Sequence, residues 1–320
     1  MAGWGDATGG TQPQPEAPGW SVSLTAVRAF VDRTIDRARS EGRLAFGRLT
    51  ASGRPLPDFV VIGVQRAGTT SLYRDLKQHP QVMGAATKEV HYFDYNHAKG
   101  LGWYRAHFPL AIRRRIARRR RRPWLTFEAT PDYLFDPRVP ARVKVLLPDV
   151  KLIVILRDPV ARAVSHYHHM VRHGHEPMGL AEALHAEDER LDGAYREVID
   201  HPDSRALALR RHSYVGRGRY AEQLQRWRAL FPAEQMMIVR SADLFDATGD
   251  TFGRILDFLG LPRWQPEEFR NYSYRNPFEG GYPAPTEEVT AFLNERFAEP
   301  NRRLVDLLGE GFGWDSRVRP

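Results

Sequence analysis

The chain has 320 residues, a formal net charge of +8 and no cysteine. This length suits one large α/β domain or two smaller ones, and the absence of thiols excludes disulfides, thiolate metal sites and cysteine nucleophiles. The positive charge favours acidic partners such as phosphate-bearing cofactors, anionic polymers or anionic lipid. No apolar run is long enough to cross a membrane and no signal-peptide core is present, so we expect a cytoplasmic protein.

The N-terminal part divides into two segments ahead of the main domain. Residues 1–20 are rich in Gly, Pro, Gln and Thr, which is typical of a disordered tail. Residues 21–56 predict an amphipathic helical extension, because Val27, Val31 and Ile35 recur at helical spacing between arginines. Such a helix either packs on a protein surface or lies on a membrane. The main domain is expected over residues 57–320.

Strands and helices alternate along the main domain. The predicted strands are Phe59–Gly63, Trp124–Phe127, Lys151–Leu156 and Met236–Val239. The predicted helices are Thr69–Gln78, Val139–Leu147, Pro159–His173, Gly216–Phe231, Thr251–Leu259 and Pro285–Leu308. This alternation predicts an α/β fold, in which a parallel sheet is flanked by helices on both faces. Ligands of such folds bind at the carboxyl ends of the strands.

The segment that follows the first strand is suited to phosphate binding. Gly63 and Gly68 bound a short loop, and a helix starts directly after it, so that N–H groups can point at an anion. The pattern is close to the nucleotide P-loop, G-x-x-x-x-G-K-[ST]. However, Thr69 stands at the lysine position and the cation, Arg66, lies inside the loop. The displaced cation favours a different leaving group from that of an ATPase.

A second anion site is predicted after the strand Lys151–Leu156. Arg157 follows the strand, and Ser165 lies two helical turns further on, on a face that can look back at the arginine. A guanidinium and a hydroxyl that converge on one point suit a phosphate. Arg157 and Asp158 could also form a local ion pair. Together with the first loop, the pair predicts a nucleotide with phosphates at both ends.

These two motifs resemble the cofactor signatures of sulfotransferases that use 3′-phosphoadenosine 5′-phosphosulfate (PAPS). Further segments resemble the heparan sulfate glucosaminyl 3-O- and N-sulfotransferase branch. They are Lys88–Asp94, Gly100–Tyr104, Phe127–Tyr133, Phe297–Leu304 and Gly313–Asp315. Because the motifs occur in order from about Asp58 to Asp315, the resemblance covers most of the chain and implies a P-loop-like sulfotransferase fold.

The resemblance also implies roles for individual residues. Glu89 matches the proposed general base and Arg66 the phosphosulfate-binding cation, while His91 either orients the acceptor or is itself the base. The implied cofactor-binding residues are Gln65, Arg66, Ala67, Gly68, Thr69, Thr70, Ser71, Arg157, Ser165 and Arg275. The candidate acceptor-binding residues are Lys88, His91, Asp94, Trp103, Thr130 and Tyr214. Trp103 could equally be a core residue, and Tyr214 could line either the acceptor or the cofactor site.

The chemistry of sulfuryl transfer agrees with this set of residues. It is an in-line displacement at sulfur, in which positioning and charge stabilisation dominate. The acceptor must lose a proton and the leaving phosphate gains charge, so a base and a fixed cation are needed. The predicted reaction converts PAPS to 3′-phosphoadenosine 5′-phosphate (PAP) without a metal. The acceptor would be a hydroxyl or amine of a saccharide, a glycolipid or a secondary metabolite.

The sequence departs from the family pattern at several positions. Arg66 replaces the loop lysine, and Ala129 stands where a lysine commonly contacts polysaccharide. The family's basic cofactor loop, late in the chain, is poorly matched here, and Arg275 is the best candidate for it. The disulfide of related enzymes is missing. These departures, together with the missing membrane anchor, suggest a soluble, bacterial-type relative.

Two other functions compete with this interpretation. A P-loop nucleotide phosphotransferase or ATPase is disfavoured by Thr69 at the lysine position. A non-catalytic binder of anionic surfaces would use the arginine cluster Arg113–Arg122, but it leaves the ordered motifs unexplained. That cluster could bind an anionic polymer or a membrane surface, or it could be a solvated face of the protein. We expect no specific binding of nucleic acid. The histidines His169 and His173 are assigned to the helix surface or to the substrate cleft.

Overall fold

The computed structural model describes residues 41–112, 114, 116, 123–269, 283–309 and 311–314. The predicted tail and most of the helical extension lie outside these ranges, although residues 41–49 are helical. The larger compact unit of the chain spans Leu44–Pro320. It includes residues ahead of the predicted domain start: Gly53 accepts the backbone N–H of Ala111 at 2.9 Å, and Arg54 donates to the carbonyl of Phe108.

A five-stranded parallel sheet forms the centre of this unit. Its strands are β1 (Phe59–Gly63), β2 (Val82–Gly84), β3 (Leu125–Ala129), β4 (Lys151–Leu156) and β5 (Met236–Arg240), in the order β2-β3-β1-β4-β5. All of β1 and all but the first residue of β4 are buried, as expected for apolar runs that helices cover on both faces. The predicted α/β fold is confirmed.

Helices surround the sheet. Within the described ranges they include α1 (Thr69–Leu76), α2 (Gly100–Arg105), α3 (Val139–Leu146), α4 (Pro159–Arg172), α5 (Leu180–His185), α6 (Glu187–Arg190), α7 (Ala194–Asp200), α8 (Leu207–His212), α9 (Tyr220–Arg228), α10 (Ser241–Asp246), α11 (Thr248–Leu259) and α12 (Glu287–Leu308). None of them combines the length and hydropathy needed to cross a bilayer.

Local signals explain several of these boundaries. The carboxylate of Asp158 accepts the N–H of Ala161 at 2.7 Å, so α4 begins with an N-cap followed by proline. Helix α11 ends at Gly260, whose φ of 72° suits the left-handed cap. The predicted helix over 216–231 starts later, at Tyr220, because a 3-10 turn with non-helical Arg219 precedes it.

The elements that the sequence did not predict are short. Strand β2 has three residues and pairs with β3, and α5 to α8 span four to seven residues each. Segments of this length are too short to show a clear periodicity. Helix α8 nevertheless contributes to the site.

The carboxyl ends of β1, β3 and β4 meet at one edge of the sheet. Beyond β1, the N–H of Val64 donates to Ile155 of β4 at 2.9 Å. Beyond β3, the N–H of Thr130 donates to Val61 at 3.0 Å, and that of Leu134 donates to Ile62 at 2.8 Å. The segments that leave these three strands therefore lie side by side, where ligands of parallel sheets bind.

Candidate active site

The loop between β1 and α1 turns sharply at Gly68. Its φ is 102°, and a Cβ atom there would come within 2.8 Å of the Phe245 ring. Only glycine fits this combination of left-handed backbone and close contact. Helix α1 begins at the next residue, Thr69, so its first N–H groups, which have no partners within the helix, face the loop.

Neighbouring strand ends hold the loop backbone. Arg157 beyond β4 donates from Nη1 to the carbonyl of Arg66 at 2.8 Å, and Ser241 beyond β5 donates from Oγ to the carbonyl of Ala67 at 3.0 Å. Tyr220 of α9 donates to the carbonyl of Arg157 at 2.8 Å. The loop conformation is thus fixed from two adjacent strands.

The two predicted phosphate anchors are in contact. Arg66 donates from Nε to the Oγ of Ser165 on α4 at 2.9 Å. The backbone of Arg66 has a φ of 73°, in the left-handed region that L-residues rarely adopt. The structure therefore brings Arg66, Arg157 and Ser165 together, as the two sequence motifs predicted.

Residues 88–94, the charged segment, contain four charged side chains that contact one another in succession: Lys88, Glu89, His91 and Asp94. The Nε2 of His91 lies 3.1 Å from Oε2 of Glu89, and its Nδ1 lies 2.6 Å from Oδ2 of Asp94. Lys88 donates from Nζ to the other oxygen of Glu89 at 3.3 Å. Glu89 retains 31% of its side-chain exposure, whereas His91 and Asp94 are buried.

These contacts fix the charges of the segment. Burial alone would lower the pKa of His91, but the hydrogen bonds to Asp94 and Glu89 raise it to about 11. Burial would raise the pKa of Glu89, yet the hydrogen bond from His91 and the charge of Lys88 hold it below its ordinary value. At neutral pH His91 is an imidazolium that donates from both nitrogens, and Glu89 is ionised.

Asp132, which follows β3, lies near the Nδ1 side of the imidazolium and is itself paired with two guanidinium groups. Its Oδ2 lies 4.0 Å from Nδ1 of His91 and accepts from Nε of Arg210 at 3.1 Å, while its Oδ1 accepts from Nη1 of Arg217 at 2.7 Å. Glu89, His91 and Asp132 offer three potential metal-ligand atoms within 4.8 Å. The two guanidinium groups already pair with Asp132, so a divalent cation would have to displace them.

A cavity of about 440 Å³ joins the loop to this charged segment. Its lining comes from the loop between β1 and α1 (the phosphate loop, residues 64–68) with the start of α1, from Glu89, from the turn after β3, from helix α4 and from the segment around α8. The lining residues are Gln65, Arg66, Thr69, Thr70, Glu89, Pro131, Asp132, His169, Met170, His175, Arg205, Leu207, Arg210 and Arg211. The loop predicted to bind phosphate and a carboxylate that is a candidate base therefore face one space.

Comparison with known proteins identifies the family. The family model described as "Sulfotransferase domain" matches residues 56–281. The chain belongs to the sulfotransferase family. It is 30% identical over 285 residues to mouse heparan sulfate glucosamine 3-O-sulfotransferase 3B1, covering 83% of this chain and 66% of that protein, so it spans about two thirds of the relative's length. It is 26% identical over 328 residues to the membrane-associated sulfotransferase kil1 of Dictyostelium discoideum, covering 82% and 67%.

A solved sulfotransferase from Alicyclobacillus acidocaldarius shares the fold. The TM-score is 0.61 at 24% identity, with 82% of this chain and 100% of that chain covered. The predicted enzyme class, a sulfotransferase close to the heparan sulfate glucosamine 3-O-sulfotransferase branch, is confirmed by the family and by these relatives.

Sequence reasoning missed the basic residues of the sulfotransferase cavity around α8. Arg205 and Arg210 lie over the ring of Tyr95, with guanidinium carbons 5.2 and 4.6 Å from its centroid. That ring stacks on His91 at 4.7 Å. The sequence does show three arginines close together, Arg205, Arg210 and Arg211. They lie outside every motif that carried the family resemblance.

Of the histidines on and after α4, His169 and His175 reach the cavity. Burial and the nearby charge of Arg66 lower the pKa of His169 to about 4. His169 is therefore a neutral imidazole beside the phosphate loop at physiological pH.

None of the six predicted acceptor residues is among those that line the cavity. Lys88, His91 and Asp94 belong to the charged segment that holds Glu89, and the other three are buried elsewhere. Trp103 is buried against His107, with ring centroids 4.5 Å apart. Tyr214 is fully buried and donates to Glu176 at 2.5 Å. Thr130 is buried beneath the charged segment. All three positions follow from packing that is not visible in the sequence motifs.

Two predicted basic features fall largely outside the described residues. Arg275 lies there, as does the cluster Arg113–Arg122 apart from Arg114 and Ile116. Arg114 donates from Nη2 to Asp58 at 2.7 Å. Roles for Arg275 and for the cluster stay predictions.

Proposed function

We propose that this sulfotransferase moves a sulfuryl group from PAPS to a hydroxyl or amine of a saccharide that carries acidic groups. One observation carries the proposal: the phosphate loop, the Glu89 carboxylate and three arginines line the same cavity. The loop is suited to an anionic donor, the carboxylate to an acceptor proton, and the arginines to an anionic acceptor.

The proposed binding of the cofactor depends on Arg66, Arg157, Ser165 and the start of α1. The N–H groups at Thr69–Ser71 and the Arg66 guanidinium would bind the phosphosulfate, and Arg157 with Ser165 would bind the 3′-phosphate. PAPS supplies the sulfuryl group and leaves as PAP. The negative charge that develops on the leaving phosphate is stabilised by Arg66, which is already held in contact with Ser165.

Glu89 is better suited than His91 to be the general base. With a pKa of about 11, His91 already carries protons on both nitrogens. The ionised carboxylate of Glu89 accepts the proton of the acceptor as the new bond to sulfur forms and the bond from sulfur to the phosphate oxygen breaks. The imidazolium orients Glu89 through its 3.1 Å contact, and Asp94 fixes the imidazolium.

The proposed binding of an acidic acceptor depends on Arg205, Arg210 and Arg211. Arg210 is paired with Asp132, whereas no carboxylate of the described residues lies within ion-pair distance of Arg205 or Arg211. Guanidinium groups bind carboxylates and sulfates through paired hydrogen bonds. The relatives whose names specify heparan sulfate glucosamine support a saccharide of this charged kind.

Calorimetric titration tests the cofactor half. We expect PAP to bind tightly without metal and ATP with magnesium to bind weakly or not at all. Binding of ATP with magnesium, and not of PAP, would refute the proposal in favour of a P-loop phosphotransferase.

A transfer assay tests the acceptor half. Radiolabelled PAPS is supplied with an N-sulfated glucosaminyl–uronic acid oligosaccharide, or with a neutral glucan of equal length. We expect label only in the acidic oligosaccharide, and less of it in Arg211→Ala. Equal labelling of both acceptors would refute the acidic-saccharide assignment and leave the PAPS assignment standing.

A further inference from the structure

Glu128, near the end of β3, is a carboxyl group enclosed by hydroxyls. It is fully buried, and three hydroxyl groups donate to it: Tyr104 at 2.6 Å, Thr130 at 2.9 Å and Tyr133 at 3.3 Å. Within the described ranges, no lysine, arginine or histidine lies within ion-pair distance of it. A buried carboxyl group without a cation is costly for stability, so its presence calls for an explanation.

Two of these hydroxyl oxygens also hold the backbone of the charged segment. Thr130 Oγ1 accepts the N–H of Val90 at 3.2 Å and of His91 at 3.5 Å. The Tyr133 hydroxyl accepts the N–H of Tyr92 at 2.8 Å and of Phe93 at 3.3 Å. The four consecutive N–H groups directly after Glu89 thus donate to two hydroxyl oxygens.

The direction of these hydrogen bonds depends on Glu128. A hydroxyl has one hydrogen to donate and two lone pairs that accept. An ionised carboxylate only accepts, so Thr130 and Tyr133 direct their hydrogens to Glu128 and their lone pairs to the backbone N–H groups. An amide or a protonated carboxyl at position 128 brings a donor of its own and competes with this arrangement.

We propose that Glu128 is a positioning residue that aligns Glu89 for catalysis by polarising the hydroxyls of Thr130 and Tyr133. The inference rests on the proposed function of Glu89 and deepens it. Glu128 touches neither substrate nor cofactor. It acts through the backbone of residues 90–93, and Arg142 of α3 supports the same segment by donating to the carbonyls of Phe93 and Asp94 at 2.9 and 2.6 Å.

The titration of Glu128 falls near neutral pH. Burial raises its pKa to about 7, although the hydroxyl donors oppose the rise, and Asp94 adds to it. The other titratable groups that face it are Tyr73 of α1, Tyr104 of α2 and Tyr133, whose own pKa values are raised. Tyrosines with raised pKa values stay neutral, so Glu128 is the group that changes charge here.

Ionisation of Glu128 should affect catalysis and stability in opposite directions. Because the folded pKa of about 7 exceeds the ordinary value of 4.5, stability falls as pH rises from 4.5 through 7. The ionised form therefore costs stability and aligns Glu89. Activity should fall as pH decreases through about 7, whereas stability should rise.

The test compares Glu128→Gln with the full-length wild-type protein. We expect kcat to fall by about 10- to 100-fold, PAP affinity to change by less than about twofold, and the unfolding midpoint at pH 8 to stay the same or rise. The fall in kcat through pH 7 should be lost in the variant. Deuterium exchange at the N–H groups of residues 90–93 should accelerate.

Two further variants guard against a trivial folding defect. Tyr133→Phe keeps the ring and removes the acceptor for Tyr92 and Phe93, so it should accelerate the same exchange. Tyr104→Phe removes a hydroxyl that binds Glu128 without contacting these N–H groups, so its exchange and kcat should change much less.

The outcomes distinguish this inference from the proposed function. Unchanged kcat and unchanged exchange in Glu128→Gln would overturn the positioning role. If the wild-type protein transfers no sulfuryl group while the variant still accelerates exchange at residues 90–93, the proposed function fails and the alignment by Glu128 stands.

Discussion

The phosphate loop and the charged segment 88–94 form two sides of one cavity but are built differently. The loop owes its shape to a local residue, Gly68, and to hydrogen bonds from the neighbouring strand ends. The charged segment is held by Thr130 and Tyr133, about 40 residues further along the chain. The shape of a local turn can be predicted from its glycine, whereas the geometry of a segment held by distant hydroxyls cannot be predicted from its own residues.

The largest effect should come from the charged segment. Glu89→Gln removes the proposed base, so we expect kcat to fall by about 10²- to 10⁴-fold while calorimetry shows unchanged PAP affinity. Asp257→Asn, at a surface carboxylate paired with Arg263, serves as the control and should keep full activity. Full activity of Glu89→Gln would assign the base elsewhere, with the neutral His169 as the next candidate.

The loop side should respond nearly as strongly when its cation is removed. Arg66→Ala should lower kcat by about 10²- to 10³-fold, because a fixed charge at the leaving group is lost. Arg66→Lys keeps a positive charge at this position and should retain most of the rate. Equal losses in both variants would show that guanidinium geometry, rather than charge, is required.

A smaller change is expected at the contact between the loop and α4. Ser165→Ala removes a hydroxyl bonded to Arg66 and a proposed phosphate ligand, so PAP affinity should weaken by about tenfold or more in calorimetry. Ser204→Ala, at an exposed hydroxyl bonded to Glu197, is the matched control. Unchanged affinity in Ser165→Ala would remove Ser165 from the cofactor site.

The local origin of the loop can be tested through stability. Gly68 and Gly260 both have positive φ, but a Cβ atom would clash with Phe245 at Gly68 and meet nothing within 4 Å at Gly260. Gly68→Ala should therefore lower the free energy of unfolding by more than Gly260→Ala, which should cost about 1 kcal/mol. Urea unfolding measures both variants, and equal losses would show that the contact with Phe245 is relieved at little cost.

The charged segment should also make the stability of the protein depend on pH. His91 has a folded pKa of about 11, against an ordinary value of 6.5. Its contribution to stability is complete below pH 6.5 and is lost as pH rises towards 11. Thermal unfolding of wild type should therefore weaken between pH 7 and 10 by more than that of His91→Gln. Parallel curves would mean that His91 is not held as an imidazolium.

The fold was largely predictable because its central strands are continuous apolar runs. The bounds of β1 and β4 follow directly from the segments Phe59–Gly63 and Lys151–Leu156. Strand β2 was not predictable, since three residues carry no period and its place depends on pairing with β3. The same limit applies to α8, a six-residue helix that brings Arg210 to the cavity.

The sequence by itself determined the residue types, the phosphate loop and the family, because glycine spacing, a following helix and ordered motifs are local properties of the chain. Only the tertiary structure decided the charges and alignment of the site. The ionisation of Asp132 depends on Arg217 and Arg210, which are distant in sequence, and that of Glu89 and His91 depends on burial and on contacts formed when residues 88–94 take up their folded geometry. The alignment of residues 90–93 depends on a buried carboxyl group, and burial and the direction of hydrogen bonds exist only once the chain has folded.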